Sequence, residues 1–178
     1  MDRNAPISIV AAIAVSIVGV FGLMTMPMVV GIYMDLLGLS LEQAGLIIVA
    51  EVAGGALASI LAMFWINRVN WRVAIVFALV CVVIGNLLTP TQTDPGTLTA
   101  LRFAVGFLGQ GTAFAVGISM IGNTDNPDKN FGFVIASQVA FGVVTLFTLR
   151  PLAEHYQSTG GMYVPLAALA ALFLLLVK

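Results

Sequence analysis

Charge is what this sequence has least of: Lys, Arg, Asp and Glu together make 8% of its 178 residues, where an ordinary soluble domain carries about 25%. A soluble fold of this length has too little interior to bury a chain that is 60% hydrophobic. The few charges are balanced and scattered, seven basic against eight acidic, for a net charge of −1. No basic patch exists to hold nucleic acid, which is excluded as a partner. Cysteine and histidine occur once each. Cys81, inside an apolar run, has no partner for an intrachain disulfide, and no ligand cluster for a metal can be assembled. No nucleophile stands beside a histidine, and no Gly-rich phosphate loop ends in Lys and Ser or Thr. Neither enzymatic activity nor a cofactor is expected.

What the sequence has instead is long apolar runs, at residues 7–31, 43–66, 72–89, 98–121, 131–150 and 161–177. About 20 apolar residues cross a hydrocarbon core of roughly 30 Å as a helix. The expected fold is therefore an all-α, polytopic membrane bundle of six transmembrane helices, with the lipid bilayer as its surroundings. The first run is longer than the about 7–15 residues of a cleaved signal core and reads as a retained helix. Polar connections lie at Tyr33 to Glu42, Asn67 to Trp71, Pro90 to Thr97, Gly122 to Asn130 and Pro151 to Gly160. Ser40 and Gln43 form a capping box at the start of the second helix. Pro165 is expected in the first turn of the last, where a missing N–H is harmless.

Positive residues in short loops set orientation. With the N-terminus inside, the inner set is Arg3, Arg68, Arg72, Lys129 and Lys178, against Arg150 alone outside. Both termini are expected in the cytoplasm, across a plasma or bacterial inner membrane. Trp65, Trp71 and Tyr163 lie near span ends and read as interface anchors. His155, in the loop after the fifth run, reads as a solvated side chain.

Two charges fall inside the runs. Glu51 lies near the middle of the second, and a carboxylate there faces a partner or a cavity rather than lipid. At 100° per residue Ala44, Glu51, Gly55, Ala58 and Ala62 share one narrow face of small residues, suited to close helix contact. In the fourth run Arg102 shares a face with Gly106, Gly109 and Ala113, with Gln110 at its edge. Arg102 either reaches Glu51 or snorkels to the headgroups; the sequence leaves both open. In the fifth run Gln138 shares a face with Gly142 and Thr145, either as part of a polar pathway or as an interhelical hydrogen bond.

The stretch between the second and third runs, Asn67-Arg68-Val69-Asn70-Trp71-Arg72, and the fourth run, with Arg102, Gly106, Gly109, Gln110 and Gly111, resemble the major facilitator superfamily of secondary transporters. The loop motif is degenerate: Met63 stands for its Gly, Asn67 for its Asp, Asn70 for the turn Gly and Trp71 for a basic residue. Asn70 is expected to take the left-handed turn conformation that Asn tolerates. Arg68 and Arg72 keep their places, either as part of a charge latch or as topology markers. No Gly-Pro element precedes Arg150-Pro151 in the fifth run, which weakens a reading as a drug–proton antiporter.

The resemblance implies one half of a twelve-helix transporter, by symport or antiport, moving a small-molecule solute by alternating access at a site between two six-helix halves. On this reading Glu51, Arg102, Gln110 and Gln138 are the substrate- or proton-coupling residues, and Gly55, Gly106, Gly109 and Gly142 pack helices. The chain is expected to be part of a longer one or to pair with another copy as the second half. The rival reading is a non-transporting assembly or scaffold protein that packs through its small-residue faces.

The orientation is testable by cysteines placed singly at Asn70 and Thr93 in a Cys81-free background. They should label from opposite sides of sealed vesicles; labelling from one side refutes the six-span topology.

Overall fold

The computed structural model describes residues 4–177; Arg3 and Lys178, two of the expected inner cations, lie outside the described residues. Among those described, every regular element is helical. Helix α1 (Pro6–Gly19) and α2 (Phe21–Leu37) meet at Val20, α3 covers Leu41–Trp65, and α4 covers Trp71–Leu88 with a tight turn at Thr89–Thr91. Helix α5 (Pro95–Ala104) passes through a π turn, Val105–Gln110, into α6 (Gly111–Gly122), and α7 (Pro127–Tyr156) and α8 (Gly160–Leu174) complete the chain.

Five continuous stretches are long and apolar enough to cross a bilayer: Pro6–Leu37, Leu41–Trp65, Trp71–Thr91, Pro95–Gly122 and Pro127–Tyr156. This is compatible with an integral membrane protein. The sixth expected segment forms α8, whose 15 residues extend about 22 Å at 1.5 Å per residue.

Helix starts follow from local chemistry. At α3 the capping box is made: Gln43 N donates to Ser40 Oγ at 3.2 Å and Ser40 N to Gln43 Oε1 at 3.0 Å. At α5 the Asp94 carboxylate accepts from the Thr97 N–H at 2.7 Å and its hydroxyl at 2.9 Å. Those two bonds hold the Asp94 carboxyl below its ordinary range. Asn70 corrects an expectation: its backbone is extended, φ −72° and ψ 114°, and its side chain accepts from Arg72 N. It starts α4 as a cap instead of making a left-handed turn. That conformation occurs instead at Gly38, φ 65°, where α2 ends, and at Gln157, φ 48°.

Other departures share a cause, the persistence of helix through residues that usually end it. The first span runs on to Leu37, so Tyr33 is helical and fully buried rather than in a loop. Helix α7 passes through Arg150 and Pro151 to Tyr156, which puts His155 in its last turn, edge-on to Tyr156. Pro165 lies inside α8, not in its first turn. Proline is tolerated inside apolar helices where neighbouring helices and local adjustment re-satisfy the freed backbone groups.

The fourth span is the hub. Its α5 packs on α3, the π turn sits between α3 and α4, and α6 lies along α1; α8 packs on α4 and α7, and α2 on α3 and α7. Backbones touch where this span meets α3. A Cβ on Gly106 would fall inside the Glu51 carbonyl group, and one on Gly111 would come within 2.7 Å of Ala58 Cβ. Gly106→Ala should therefore destabilise the chain by about 1–3 kcal/mol through overpacking. Gly132→Ala, with open space around it, should instead stabilise α7 by about 0.5–1 kcal/mol. Unfolding in detergent reads both, and equal shifts would refute the close-contact account.

Candidate functional site

The small-residue stripe of α3 delivers Glu51 into the hub: Ala44, Glu51, Gly54, Ala58 and Ala62 are all buried. Gly55, expected on this stripe, is only partly buried, and Gly54 makes the tighter contact, with a Cβ there falling 2.5 Å from the Phe103 carbonyl oxygen. Arg102 arrives from α5, two turns after the Asp94 cap. The two side chains are 1% and 2% exposed, so neither snorkels. Arg102 Nε donates to Glu51 Oε2 at 3.0 Å, and Nη2 donates to Oε1. The geometry is a two-pronged ion pair, the form in which guanidinium and carboxylate match best.

The rest of the guanidinium is also occupied. Arg102 Nη1 donates to Asn86 Oδ1 at 2.9 Å and to Thr89 Oγ1 at 3.1 Å, both at the end of α4. Tyr163 of α8 lies beneath, its ring centre 4.6 Å from the guanidinium carbon. The Tyr163 hydroxyl shares a hydrogen bond of 2.5 Å with the Tyr33 hydroxyl of α2. Asn86 Nδ2 is buried with no hydrogen-bond partner.

Gln110 closes the other side. Its Nε2 donates to Glu51 Oε1 at 2.7 Å, and its Oε1 accepts from Gly22 N at 3.3 Å. A regular helix would leave Gln110 at the edge of the Arg102 face. The π turn, whose closing bond runs from Gly111 N to the Gly106 carbonyl, adds a residue to that turn and brings Gln110 inward. Such turns are frequent at functional sites.

Beyond Glu51 and Gln110 lies a cavity of about 260 Å³, bounded also by Gly19, Val20, Ser59 and Phe114. Glu51 and Gln110 line it and Arg102 does not. Two further cavities, of about 230 and 650 Å³ near Trp71, touch none of these charged groups.

Of the expected site residues, Glu51, Arg102 and Gln110 are brought together. Gln138 is not among them; its Nε2 donates to the Ser16 carbonyl of α1 at 3.4 Å, the interhelical hydrogen bond that the sequence offers beside a polar pathway. Gly106 meets α3, Gly109 packs against Val82 of α4, and a Cβ on Gly142 would lie 3.3 Å from Met24 Sδ of α2. Asn67, Arg68 and Arg72 are exposed at the turn between α3 and α4, and among the described residues neither arginine is in an ion pair. Arg150 joins Asp35 of α2 at 3.2 Å and Glu154 at 2.8 Å, exposed pairs worth little in water.

Sequence reasoning missed Tyr33, Asn86, Thr89 and Tyr163. Tyr163 is no interface anchor but a buried floor for Arg102. Asn86, a lone amide in an apolar run, was the signal that went unread. Compared with models of known protein families and with curated proteins, the chain matches none.

Glu51→Gln keeps one acceptor for the guanidinium but removes its countercharge, so the folded chain should lose about 2 kcal/mol of stability. Arg102→Gln in the same chain should restore part of the loss, because no unpaired buried cation then remains. Strict additivity of the two changes in a detergent unfolding cycle would mean that the pair carries no coupling energy.

Proposed function

We propose that this chain is one six-helix half of an alternating-access secondary transporter of the major facilitator kind, moving a small solute across a plasma or bacterial inner membrane with proton coupling. In this reading α8 and the turn after it complete the sixth span, both termini are cytoplasmic, and Arg68 and Arg72 lie on the inner side. The observation that carries the proposal is a fully buried ion pair, Glu51 with Arg102, beside a cavity that Glu51 lines and Arg102 does not. Charges at depth are costly, and in transporters they mark ion and substrate paths. A carboxyl that exchanges protons with a cavity while a fixed cation holds its counterpart has the elements of a coupling site. The second half, contributed by a longer chain or another copy, closes the site from the opposite side.

A second reading has its own support. Both carboxylate oxygens are already bonded to Arg102, which suits a static clamp in a non-transporting assembly protein. Transport assays separate the two. In proteoliposomes the chain held monomeric should show no saturable uptake, whereas its assembly with a second half should transport and respond to a proton gradient. In that assembly Glu51→Gln should remain folded and bind solute yet lose gradient dependence. Gradient-driven uptake by Glu51→Gln at the unmodified rate and pH dependence leaves only the clamp, and saturable uptake by a proven monomer refutes the half-transporter.

A further inference from the structure

The break at Val20 releases backbone groups that an unbroken helix would pair, and glutamines from two other helices take them. In a regular helix the Val20 N–H would bond the Ser16 carbonyl and the Gly22 N–H that of Val18. Here Val20 N donates to the Ile17 carbonyl at 3.1 Å, and Gln138 occupies the Ser16 carbonyl. The Gly22 N–H donates to Gln110 Oε1, and the same amide's Nε2 donates to Glu51 Oε1.

A side-chain amide has one donor end and one acceptor end, so what it faces fixes its orientation. An ionised Glu51 only accepts, which turns the Gln110 NH2 toward it and the Gln110 oxygen toward Gly22. We propose that Gln110 is a coupling residue that transmits the charge state of Glu51 to the break in the first span. The inference rests on the reading of Glu51 as the proton-coupling group.

The steps follow from donor and acceptor balance. A proton arriving from water in the cavity adds to Glu51 Oε1, whose O–H then faces the Gln110 NH2, donor against donor. The amide turns over, its oxygen accepts from Glu51, and its NH2 now opposes the Gly22 N–H. Gly22 loses its acceptor and returns to the Val18 carbonyl, so the first span straightens. Loss of the proton reverses each step. The other groups facing Glu51 do not compete. Arg102 of α5 stays charged throughout, and the hydroxyls of Tyr33 of α2 and Tyr163 of α8 are bonded to each other behind the guanidinium. From α4 and the turn after it come only Asn86 and Thr89, which do not titrate, and α1, α6 and the π turn present no charged group to it.

Spin labels at Val10→Cys and Met34→Cys, both exposed positions, in the Cys81-free chain would measure the span by electron–electron resonance. Infrared spectroscopy would report the carboxylic acid of Glu51, assigned by its loss in Glu51→Gln. On acidification the label distance should lengthen toward the roughly 36 Å that residues 10 and 34 span in an unbroken helix, in step with the acid signal. In Gln110→Leu and in Gln110→Met, each checked for folding by thermal unfolding, the acid signal should still appear while the distance stays fixed. A distance that follows pH equally in either folded Gln110 variant overturns the relay, as does a fixed distance in the unsubstituted chain while Glu51 protonates; both leave the transport reading standing. A Glu51 that stays ionised at every pH where the chain is folded overturns the relay and the proton-coupled reading together.

Discussion

The structure is organised around the need to keep one carboxylate and one guanidinium together in surroundings that solvate neither. Each ion alone in a low-dielectric interior costs several kcal/mol, and mutual attraction offsets that cost only when the geometry is good and the remaining donors are bonded. This requirement explains why the second and fourth spans approach to backbone contact. Glu51 has a short side chain, so it must be carried to Arg102 by its helix, and the approach is possible only because Gly54, Gly106 and Gly111 have no Cβ at the crossing.

The same requirement recruits the other spans. Arg102 has more donors than one carboxylate can accept, and Nη1 donates to Asn86 on α4 and to Thr89 in the turn that follows it. Its flat face is covered by Tyr163 from α8, which in turn is held by Tyr33 from α2. Five apolar segments thus contribute a polar group to one cluster, and in a chain with so few charges this cluster supplies much of the specificity that apolar packing lacks. Lipid tails solvate Leu and Val as well as a neighbouring helix does, so directional contacts decide which helices associate.

How much of this could be read from the sequence depends on the range of the forces involved. Long apolar runs, the Ser40–Gln43 cap and the burial of Ala44, Glu51, Ala58 and Ala62 are local or periodic; the cap and these four residues are found where the sequence places them, and five of the six runs lie in helices long enough to span a bilayer. The meeting of Glu51 with Arg102 was left undecided, because residues 51 apart touch only through the packing of whole helices. The break at Val20 had no visible signal either: it lies where Gly19 is pressed against Phe114, a contact between remote segments. The continuation of helix through Pro151 and the burial of Tyr33 and Tyr163 were misread for a related reason. Proline and tyrosine carry strong habits in isolated sequence, and here tertiary neighbours override them.

The π turn at Val105–Gln110 makes the fourth span two helices out of phase. Below it α5 is aimed at α3, and beyond it α6 is aimed at α1, where Gly117 lies against the Ala12 and Ser16 backbone. The extra residue acts as a phase shifter between two independently optimised contacts. Were that turn wound as regular helix with every residue kept, everything beyond it would rotate by about 100°, turning Gly117 away from α1 and Gln110 away from Glu51. The wide turn is therefore as much a determinant of the site as the identity of Arg102.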